Sequence, residues 1–252
     1  MIKITLSEIA KIVNGRMINA DVHKDYQIDH IITDSRTLFQ KEHSVFFALE
    51  GPRNDGHNYV SGLIKKGLKV FVISDKNFIT PDATFILVKN TMLALQKLAA
   101  SIRDRVHFPV IGITGSNGKT IIKEWLHQLL SENYRIIRSP KSYNSQVGVP
   151  LSLLNIDNRF DLGIFEAGIS KPGEMQNLIP LIKPDIGILT NIGDAHQENF
   201  ISRKQKTNEK LLLFSTSRKL IFRVDDEDIS TTVEDFCRQN GIDQVSWTLH
   251  DK

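Results

Sequence analysis

The segment with the clearest chemistry joins an apolar stretch, Val110–Thr114, to a helical pattern that runs to about Leu130. Glycines in the turn between them permit positive φ, so backbone amides can approach phosphate oxygens at the positive end of the helix. Lys119 would supply a positive charge for the β- and γ-phosphates, and the Thr120 hydroxyl is suited to Mg²⁺. The predicted ATP-binding loop comprises Gly115, Ser116, Asn117, Gly118, Lys119 and Thr120.

This loop is shorter than the usual phosphate-binding pattern G-x-x-x-x-G-K-[ST]. Ile113 stands where that pattern has its first glycine, which leaves the form G-x-x-G-K-T. An ordinary strand-to-helix turn that happens to contain glycines is the alternative. The position of Gly118-Lys119-Thr120 at a strand–helix junction favours the nucleotide loop.

Three further side chains could take part in chemistry. Glu166 follows the apolar stretch Leu162–Phe165, and His196 lies just beyond Ile186–Thr190. The carboxyl ends of parallel strands form the ligand-binding edge of a sheet, where such side chains could hold a metal ion. Lys210 lies on a predicted helix. From pattern alone, Glu166 is as well read as a solvated residue, whereas His196 is better read as a hydrogen-bonded loop residue and Lys210 as a solvated surface residue.

The elements that must position these residues alternate regularly after Pro109. Strands are predicted at Val110–Thr114, Arg135–Arg138, Leu162–Phe165, Ile186–Thr190 and Leu220–Val224, and helices at 119–130, Val149–Leu154, Gly173–Ile182 and Ser202–Phe214. Such alternation predicts a parallel sheet covered on both faces.

The first part of the chain predicts a smaller mixed α/β domain. Its helices are predicted at Leu6–Val13, Tyr59–Lys66 and Asn90–Arg105, and its strands at Ile28–Thr33, Val45–Leu49, Lys69–Ile73 and Phe85–Val88. The predicted domains are 1–106 and 107–252. The fold class is therefore α/β, with a small mixed N-terminal domain followed by a parallel-sheet ATP-binding domain.

Composition excludes several classes of function. The 252 residues carry 32 Lys and Arg against 29 Asp and Glu, a net charge of +3. A nucleic-acid binder normally has a larger and more concentrated excess of positive charge. The longest apolar run, Val45–Leu49, is far below the ~20 residues of a membrane span. The charged N-terminal segment is unlike a signal peptide, and the single cysteine, Cys237, favours the cytoplasm.

The short loop, with Asn117 before Gly118, resembles that of the Mur ligases and folylpolyglutamate synthetases, ATP-dependent ligases that join a carboxylate to an amine. Further segments resemble Mur ligases: Met1–Gly15, Thr33–Arg36, Val45–Gly51, Asp55–His57, Lys123-Glu124, Asn144 and Gly148–Leu151. These segments point to the branch that joins D-alanyl-D-alanine to UDP-N-acetylmuramoyl-tripeptide in peptidoglycan precursor synthesis, and thus to cell-wall growth and division.

The resemblance implies ATP and Mg²⁺ as cofactors and assigns catalytic roles to Lys119, Lys210 and His196. It implies metal contacts from Thr120, Glu166, His196 and Lys210, the last as a carbamate formed with CO₂. Lys206, one turn earlier, competes with Lys210 for that role. Asn191 is a weaker candidate.

The resemblance also implies that the N-terminal domain holds the uridine diphosphate end of the precursor. The implied substrate-binding residues are Ser35, Arg36, Asn54, His57, Asn144 and Ser145. Arg36 is the natural partner of a diphosphate, although Asp34–Arg36 could instead be a structural turn with a local ion pair. The family has a second asparagine at Ser145, and an asparagine near the adenine where this chain has Arg223.

The family continues into a C-terminal domain beyond the position of Lys252, so the chain alone is expected to be inactive. A monomer without nucleic-acid or membrane partners is expected. Two alternatives stay open: a sister Mur ligase that adds a different amino acid, and a non-catalytic nucleotide-binding module.

Overall fold

The computed structural model describes residues 3–20, 25–52, 54–193, 195 and 197–249. The chain divides into a first unit, Met1–Ile102, and a second unit, Arg103–Lys252. Among the described residues, no helix is long and apolar enough to cross a lipid bilayer.

The first unit has a mixed sheet. Its described strands are β1 (Ile4–Thr5), β2 (Arg16–Ile18), β3 (Gln27–Ile28), β4 (His30–Ile32), β5 (Ser44–Phe47), β6 (Val70–Ile73) and β7 (Thr84–Leu87). Its helices are α1 (Leu6–Val13), α2 (Val60–Lys65) and α3 (Thr91–Arg103), the last running to the unit boundary, with single 3₁₀ turns at Ser35–Thr37, Gly56–Tyr59 and Lys76–Phe78. In the described part of this unit, five strands form one sheet in the order β2-β7-β6-β5-β4, and β1 pairs with β3.

The central strands of the first unit are apolar because both of their faces are covered. All residues of β5 and β6 are buried. Phe46, Phe71 and Phe85 from three adjacent strands form ring contacts in the core. The pairs β4–β5, β5–β6 and β6–β7 are parallel, and only β2 runs antiparallel to its neighbour in this sheet as described. The predicted mixed α/β unit is thus observed.

The second unit is a parallel sheet covered by helices. Its described strands are β8 (Val110–Thr114), β9 (Ile136–Arg138), β10 (Leu162–Glu166), β11 (Ile186–Leu189), β12 (Lys219–Arg223) and β13 (Asp243–Trp247). Its helices are α4 (Lys119–Leu130), α5 (Gly148–Leu153), α6 (Glu174–Ile182), α7 (Arg203–Leu211) and α8 (Glu227–Asn240), with 3₁₀ turns at Gln197–Asn199 and Leu212–Phe214.

The strand order of the second unit fixes where a ligand can bind. The described strands follow the order β13-β12-β11-β8-β10-β9, and each pairing is parallel. β8 is central: β9 and β10 lie to one side of it and β11 to the other. Ligands of open α/β sheets bind beyond the carboxyl ends of the strands where the order reverses, here at β8, β10 and β11.

Most predicted elements are confirmed, with shifts at their ends. The predicted strand 28–33 is interrupted at Asp29, whose amide donates to the His43 carbonyl, so that β3 and β4 join different sheets. The predicted helix 202–214 is α7 followed by a 3₁₀ turn. Strands β1, β2 and β13 and helix α8 were not predicted from the sequence.

Candidate active site

The loop between β8 and α4 turns on two glycines with positive φ. Gly115 has a φ of 143° and Gly118 a φ of 80°, and α4 begins directly afterwards at Lys119. A Cβ at Gly115 would lie 2.0 Å from Oγ1 of Thr190, so no larger residue fits there. The loop leads into the N-terminal end of α4, whose dipole stabilises an anion.

Ile113, which replaces the first glycine of the longer loop pattern, is fully buried in β8. It pairs with Ile188 of β11 and with Glu166 of β10. The turn therefore starts only after Thr114, which agrees with the short form of the loop.

Residues after β11 hold the loop in place. Thr190 Oγ1 donates to the Asn117 carbonyl at 2.6 Å, and the Ser116 amide donates to the Asn191 carbonyl at 2.8 Å. Asn191 Oδ1 accepts the Asn117 amide at 3.1 Å, and the Gly193 amide donates to Ser116 Oγ at 2.9 Å. Asn191, a weaker metal candidate by sequence, contacts the loop in this structure.

Two lysine amines converge on one loop carbonyl. Lys119 Nζ donates to the carbonyl of Gly115 at 2.8 Å and to that of Ser116 at 3.3 Å. Lys210 Nζ, from α7, donates to the same Gly115 carbonyl at 3.3 Å. The structure thus brings the predicted catalytic lysines together, although they are far apart in sequence.

Lys210 has a perturbed amine. Its side chain is buried, and this burial, followed by the charges of Lys119 and Lys206, lowers the pKa of Lys210 from 10.5 to about 7. Burial also lowers the pKa of Lys119, and Glu166 opposes that change. An amine with a pKa near 7 is about half uncharged at neutral pH, and the uncharged form is the one that reacts with electrophiles.

Lys206, the competing lysine, is engaged elsewhere. It is also buried, and its Nζ donates to the carbonyls of Gly193 and Ala195, each at 2.5 Å. These two carbonyls engage the Lys206 amine away from the phosphate loop, whereas Lys210 lines the cavity described below. This geometry favours Lys210 for amine chemistry.

Glu166 is a completely buried carboxylate at the end of β10. Its Oε2 accepts from the Thr120 hydroxyl at 3.0 Å and from Asn144 Nδ2 at 3.3 Å, and its Oε1 accepts from Lys123 Nζ at 3.2 Å. Ser142 Oγ lies 3.2 Å from Thr120 Oγ1. Hydroxyl and carboxylate oxygens therefore meet beside the loop.

This set of oxygen atoms fits a hard divalent cation. Magnesium prefers oxygen ligands, keeps several waters and shares its coordination with phosphate groups. In the described part of the chain, no group of three His, Cys, Asp or Glu side chains could hold a metal ion by itself. Thr120 and Glu166 thus fit a cation that takes its other ligands from water and a phosphate. His196, the other predicted ligand, lies outside the described residues.

One cavity, of about 160 Å³, connects the loop with two of the predicted substrate residues, Asn144 and Ser145. Its lining includes Gly115, Ser116, Lys119, Asn144, Ser145, Ser170 and Lys210. Asn144 is fixed from two sides, because its side chain donates to Glu166 and its carbonyl accepts the Gly168 amide at 2.7 Å. Ser145 Oγ accepts the Gly148 amide at the start of α5.

A second cavity, of about 170 Å³, lies next to Asn191. It is lined by Leu189, Thr190, Asn191, Ile192, Arg223, Asp226 and Ile229. Arg223, the residue that departs from the family pattern, donates from Nε to Asp225, and its guanidinium carbon lies 5.9 Å from the centre of the Trp247 ring. The apolar walls and charged rim of this second cavity suit a flat polar ring.

The first unit has its own cavity, of about 340 Å³. Its lining comprises Thr33, Asp34, Ser35, Arg36, Leu49, Asn54, Gly56 and Tyr59. Arg36 donates from Nε at 2.9 Å and from Nη2 at 2.6 Å to the Asp34 carboxylate, which holds the pKa of Asp34 at about 2. The Arg36 side chain is 87% exposed. The local ion pair and a ligand-facing guanidinium are therefore compatible.

His57, a predicted substrate residue, does not line that cavity. It is buried, its Nδ1 lies 2.6 Å from Asp55 Oδ1, and its Nε2 accepts the Ser74 amide at 2.9 Å. Because both ring nitrogens have partners, His57 stabilises the turn that carries the neighbouring residues. The geometry gives no support to a substrate contact at His57.

Sequence reasoning missed several residues of this site. Thr190 and Ser142 were not singled out, and Lys123 was noted only as part of a resembling segment. Lys123 lies three residues before Leu126, at the edge of the apolar stripe of α4 that packs on the sheet. That spacing was the available signal of a lysine facing inward.

Comparisons with known proteins agree on one family. The model described as "Mur ligase middle domain" matches residues 113–251, and that described as "Mur ligase family, catalytic domain" matches residues 27–108. The chain is 35% identical over 213 residues to the UDP-N-acetylmuramoyl-tripeptide–D-alanyl-D-alanine ligase of Bacillus subtilis, covering 84% of this chain and 46% of that protein.

Solved structures give the same result. MurF from Acinetobacter baumannii has a TM-score of 0.88 at 26% identity, over 98% of this chain and 53% of that one. MurF from Thermotoga maritima, solved in complex with ADP, has a TM-score of 0.76 at 26% identity, over 88% of this chain and 51% of that one. The chain spans about half the length of these relatives.

Proposed function

The chain belongs to the Mur ligase family, and from this premise we propose that it supplies the precursor-binding and ATP-binding parts of an ATP-dependent ligase. The proposed reaction joins D-alanyl-D-alanine to UDP-N-acetylmuramoyl-tripeptide in peptidoglycan precursor synthesis. The relatives described above are named as D-alanyl-D-alanine ligases or MurF, which supports this reaction over that of a sister ligase.

One observation carries the proposal. The phosphate loop, the buried carboxylate Glu166 and the low-pKa amine Lys210 converge at the carboxyl ends of β8, β10 and the segment after β11. Such a site can hold a nucleotide triphosphate and neutralise its charge during phosphoryl transfer. A bare nucleotide-binding module would have no need of a reactive amine beside the loop.

The proposed reaction has two steps, a phosphoryl transfer followed by amide-bond formation. The loop and Lys119 hold the phosphates while the substrate carboxylate attacks the γ-phosphorus, giving an acyl phosphate and ADP. The amine of the dipeptide then attacks the acyl carbon, and inorganic phosphate leaves. Asn144 and Ser145 line the cavity beside Lys119 and are proposed to orient the substrate. Catalysis rests on positioning and on charge neutralisation.

Thr120 and Glu166 are the described residues that would hold a magnesium ion, and His196 is proposed to join them. The ion would supply charge compensation for the phosphates. Lys210 is proposed to react with CO₂: its uncharged amine attacks the carbon, loses one proton and becomes a carbamate. The same neighbours that lower the pKa of the ammonium form, Lys119 and Lys206, would stabilise that anion.

The first unit is proposed to hold the uridine diphosphate end of the precursor through Ser35, Arg36 and Asn54, which line one cavity. Arg36 is suited to a diphosphate because a guanidinium forms paired hydrogen bonds with phosphate oxygens. We place the reaction in the cytoplasm, where this single-cysteine chain would stay reduced.

Calorimetric titration of the 252-residue chain tests this function. We expect binding of Mg-ATP and, separately, of UDP-N-acetylmuramoyl-tripeptide, with weaker binding of the UDP-muramoyl-dipeptide. Preference for the dipeptide would favour a sister ligase. A folded chain that binds neither nucleotide, within a longer parent enzyme that also binds neither, would refute the proposal.

A further inference from the structure

Lys123 is a buried cation that the proposed mechanism does not use. Its side chain is fully buried, on the face of α4 turned toward the sheet. Its ammonium donates to the Ser139 carbonyl at 2.8 Å, to the Lys141 carbonyl, and to Glu166 Oε1 at 3.2 Å. Glu124 Oε1 also lies 3.2 Å away. Burying a lysine is costly unless all of its charge is compensated, as it is here.

These contacts join three parts of the site. Glu166 belongs to β10, Lys123 to the helix that follows the phosphate loop, and Ser139 and Lys141 to the segment leading to Asn144. Lys141 has a φ of 50°, a left-handed conformation that non-glycine residues rarely adopt. The ammonium thus holds the connecting segment in an unusual conformation while it pairs with the carboxylate.

We infer that Lys123 is a positioning residue that acts through Glu166. It is the internal counter-cation of this carboxylate, which lies in an interior where an unpaired charge would be strongly destabilising. It pairs with Oε1 while Oε2 accepts from Asn144, and the Thr120 hydroxyl lies 3.0 Å from Oε2 and 3.3 Å from Oε1. The role of Glu166 toward a metal rests on the proposed function, whereas the ion pair itself does not.

The inference predicts that Lys123 and Glu166 are energetically coupled. Lys123→Met removes the charge and keeps an unbranched side chain, but leaves Glu166 buried without its cation. We expect the melting temperature of the second unit to fall by roughly 10 °C. The double variant Lys123→Met/Glu166→Gln, which has neither charge, should recover most of that loss. Lys204→Met, an exposed lysine on α7, is the matched control and should melt like the wild type.

Magnesium provides a readout that a merely structural lysine would not affect. With Mg²⁺ alone as the probe, its affinity, measured from the rise in melting temperature, should be on the order of tenfold higher in Lys123→Met than in the wild type. A cation there replaces the missing positive charge beside Glu166. The double variant should lose this gain, because the carboxylate is gone.

Each result decides the question. Equal destabilisation by Lys123→Met with and without Glu166→Gln would show that Lys123 acts only on the backbone carbonyls, and the inference would be wrong. If Lys123→Met does not fold, a folded double variant supports the inference and an unfolded one overturns it. None of these measurements needs ATP, so a failure of the proposed ligase function would appear separately, in the nucleotide titrations.

Discussion

The reactivity of this site depends on the protonation of single side chains. Lys210 is buried beside Lys119 and Lys206, and this surrounding lowers its pKa to about 7. Nothing in its helical spacing distinguishes it from a solvated lysine, because the effect comes from residues distant in sequence. The resemblance to a family identified Lys210, and the structure adds a physical reason why this amine would react.

The pH dependence of Lys210 is the first prediction. The fraction of uncharged amine should rise as pH increases through about 7, so carbamate formation at a fixed CO₂ pressure should rise over the same interval. With ¹³CO₂, nuclear magnetic resonance should show a carbamate signal that is absent in Lys210→Met and retained in Lys204→Met. In any longer protein that carries this chain and shows the proposed ligase activity, Lys210→Ala should lose that activity and regain part of it with short carboxylates. An equal signal in Lys210→Met would exclude this lysine.

The two loop glycines allow a comparison within one turn. At Gly115, an added Cβ would lie 2.0 Å from Thr190 Oγ1 and 2.9 Å from the Asn191 carbonyl oxygen, whereas at Gly118 nothing lies within 4 Å. Gly115→Ala should therefore cost more than 3 kcal/mol of unfolding free energy, by rough estimate. Gly118→Ala should cost only about 1 kcal/mol, from its positive φ. Denaturant unfolding measures both. Equal losses of unfolding free energy would mean that the Thr190 side chain moves aside at little cost and does not constrain the loop.

At the scale of elements, the sequence predicted those whose apolar residues are buried. Strands β8, β10 and β11 were found because helices cover both faces of their sheet, which requires apolar runs. Helix α4 was found because its apolar residues recur at helical spacing on the side that packs on the sheet. Strand β13 was not predicted because all of its residues are exposed, so its sequence lacks the apolar run of a buried strand. α8 contains Ser230, Thr231 and Thr232, poor helix formers. Its end signals were visible: Asp226 accepts the Ile229 amide, and Gly241 follows the last turn with a φ of 65°.

The site could be predicted only where local sequence carries the chemistry. The phosphate loop has a contiguous signature, whereas Lys123, Glu166 and Thr120 meet through the sheet order, which no short pattern encodes. Glu166 and Lys210 were assigned by resemblance. His57 shows a different limit: the sequence places this polar residue in a loop, whereas the structure buries it between Asp55 and Ser74, and its substrate contact stays a prediction.

The contact between α7 and α6 gives a prediction at this scale. Glu209, next to Lys210, accepts the amides of Gly173 at 2.8 Å and Met175 at 3.2 Å, at the start of α6. Glu209→Ala leaves both donors without this partner and should lower the unfolding free energy by about 1–2 kcal/mol. Glu132→Ala, at an exposed carboxylate after α4, should change it by less than about 0.5 kcal/mol. If both variants unfold alike in denaturant, the hydrogen bonds from the Gly173 and Met175 amides to Glu209 do not stabilise α6.

At the scale of the whole molecule, each unit carries a candidate ligand site among its described residues. The first unit has the cavity with Arg36, and the second has the loop with Lys119. Each unit also has its own apolar cluster, so that a substitution on one surface need not disturb the other unit. The proposed ligase would hold two different nucleotides, and each unit has a cavity in which we propose that one of them binds.

This division predicts opposite effects from two substitutions, measured by calorimetry on the same chain. Arg36→Ala should weaken binding of UDP-N-acetylmuramoyl-tripeptide by about tenfold or more, because a charge-assisted contact to the diphosphate is lost. Mg-ATP affinity should stay unchanged. Lys119→Ala should abolish measurable Mg-ATP binding and leave precursor affinity as it was. Lys97→Ala, at an exposed lysine of α3, controls for loss of surface charge. If either variant weakens both ligands equally, the two nucleotides do not have separate sites, and the assignment of one nucleotide to each unit is wrong.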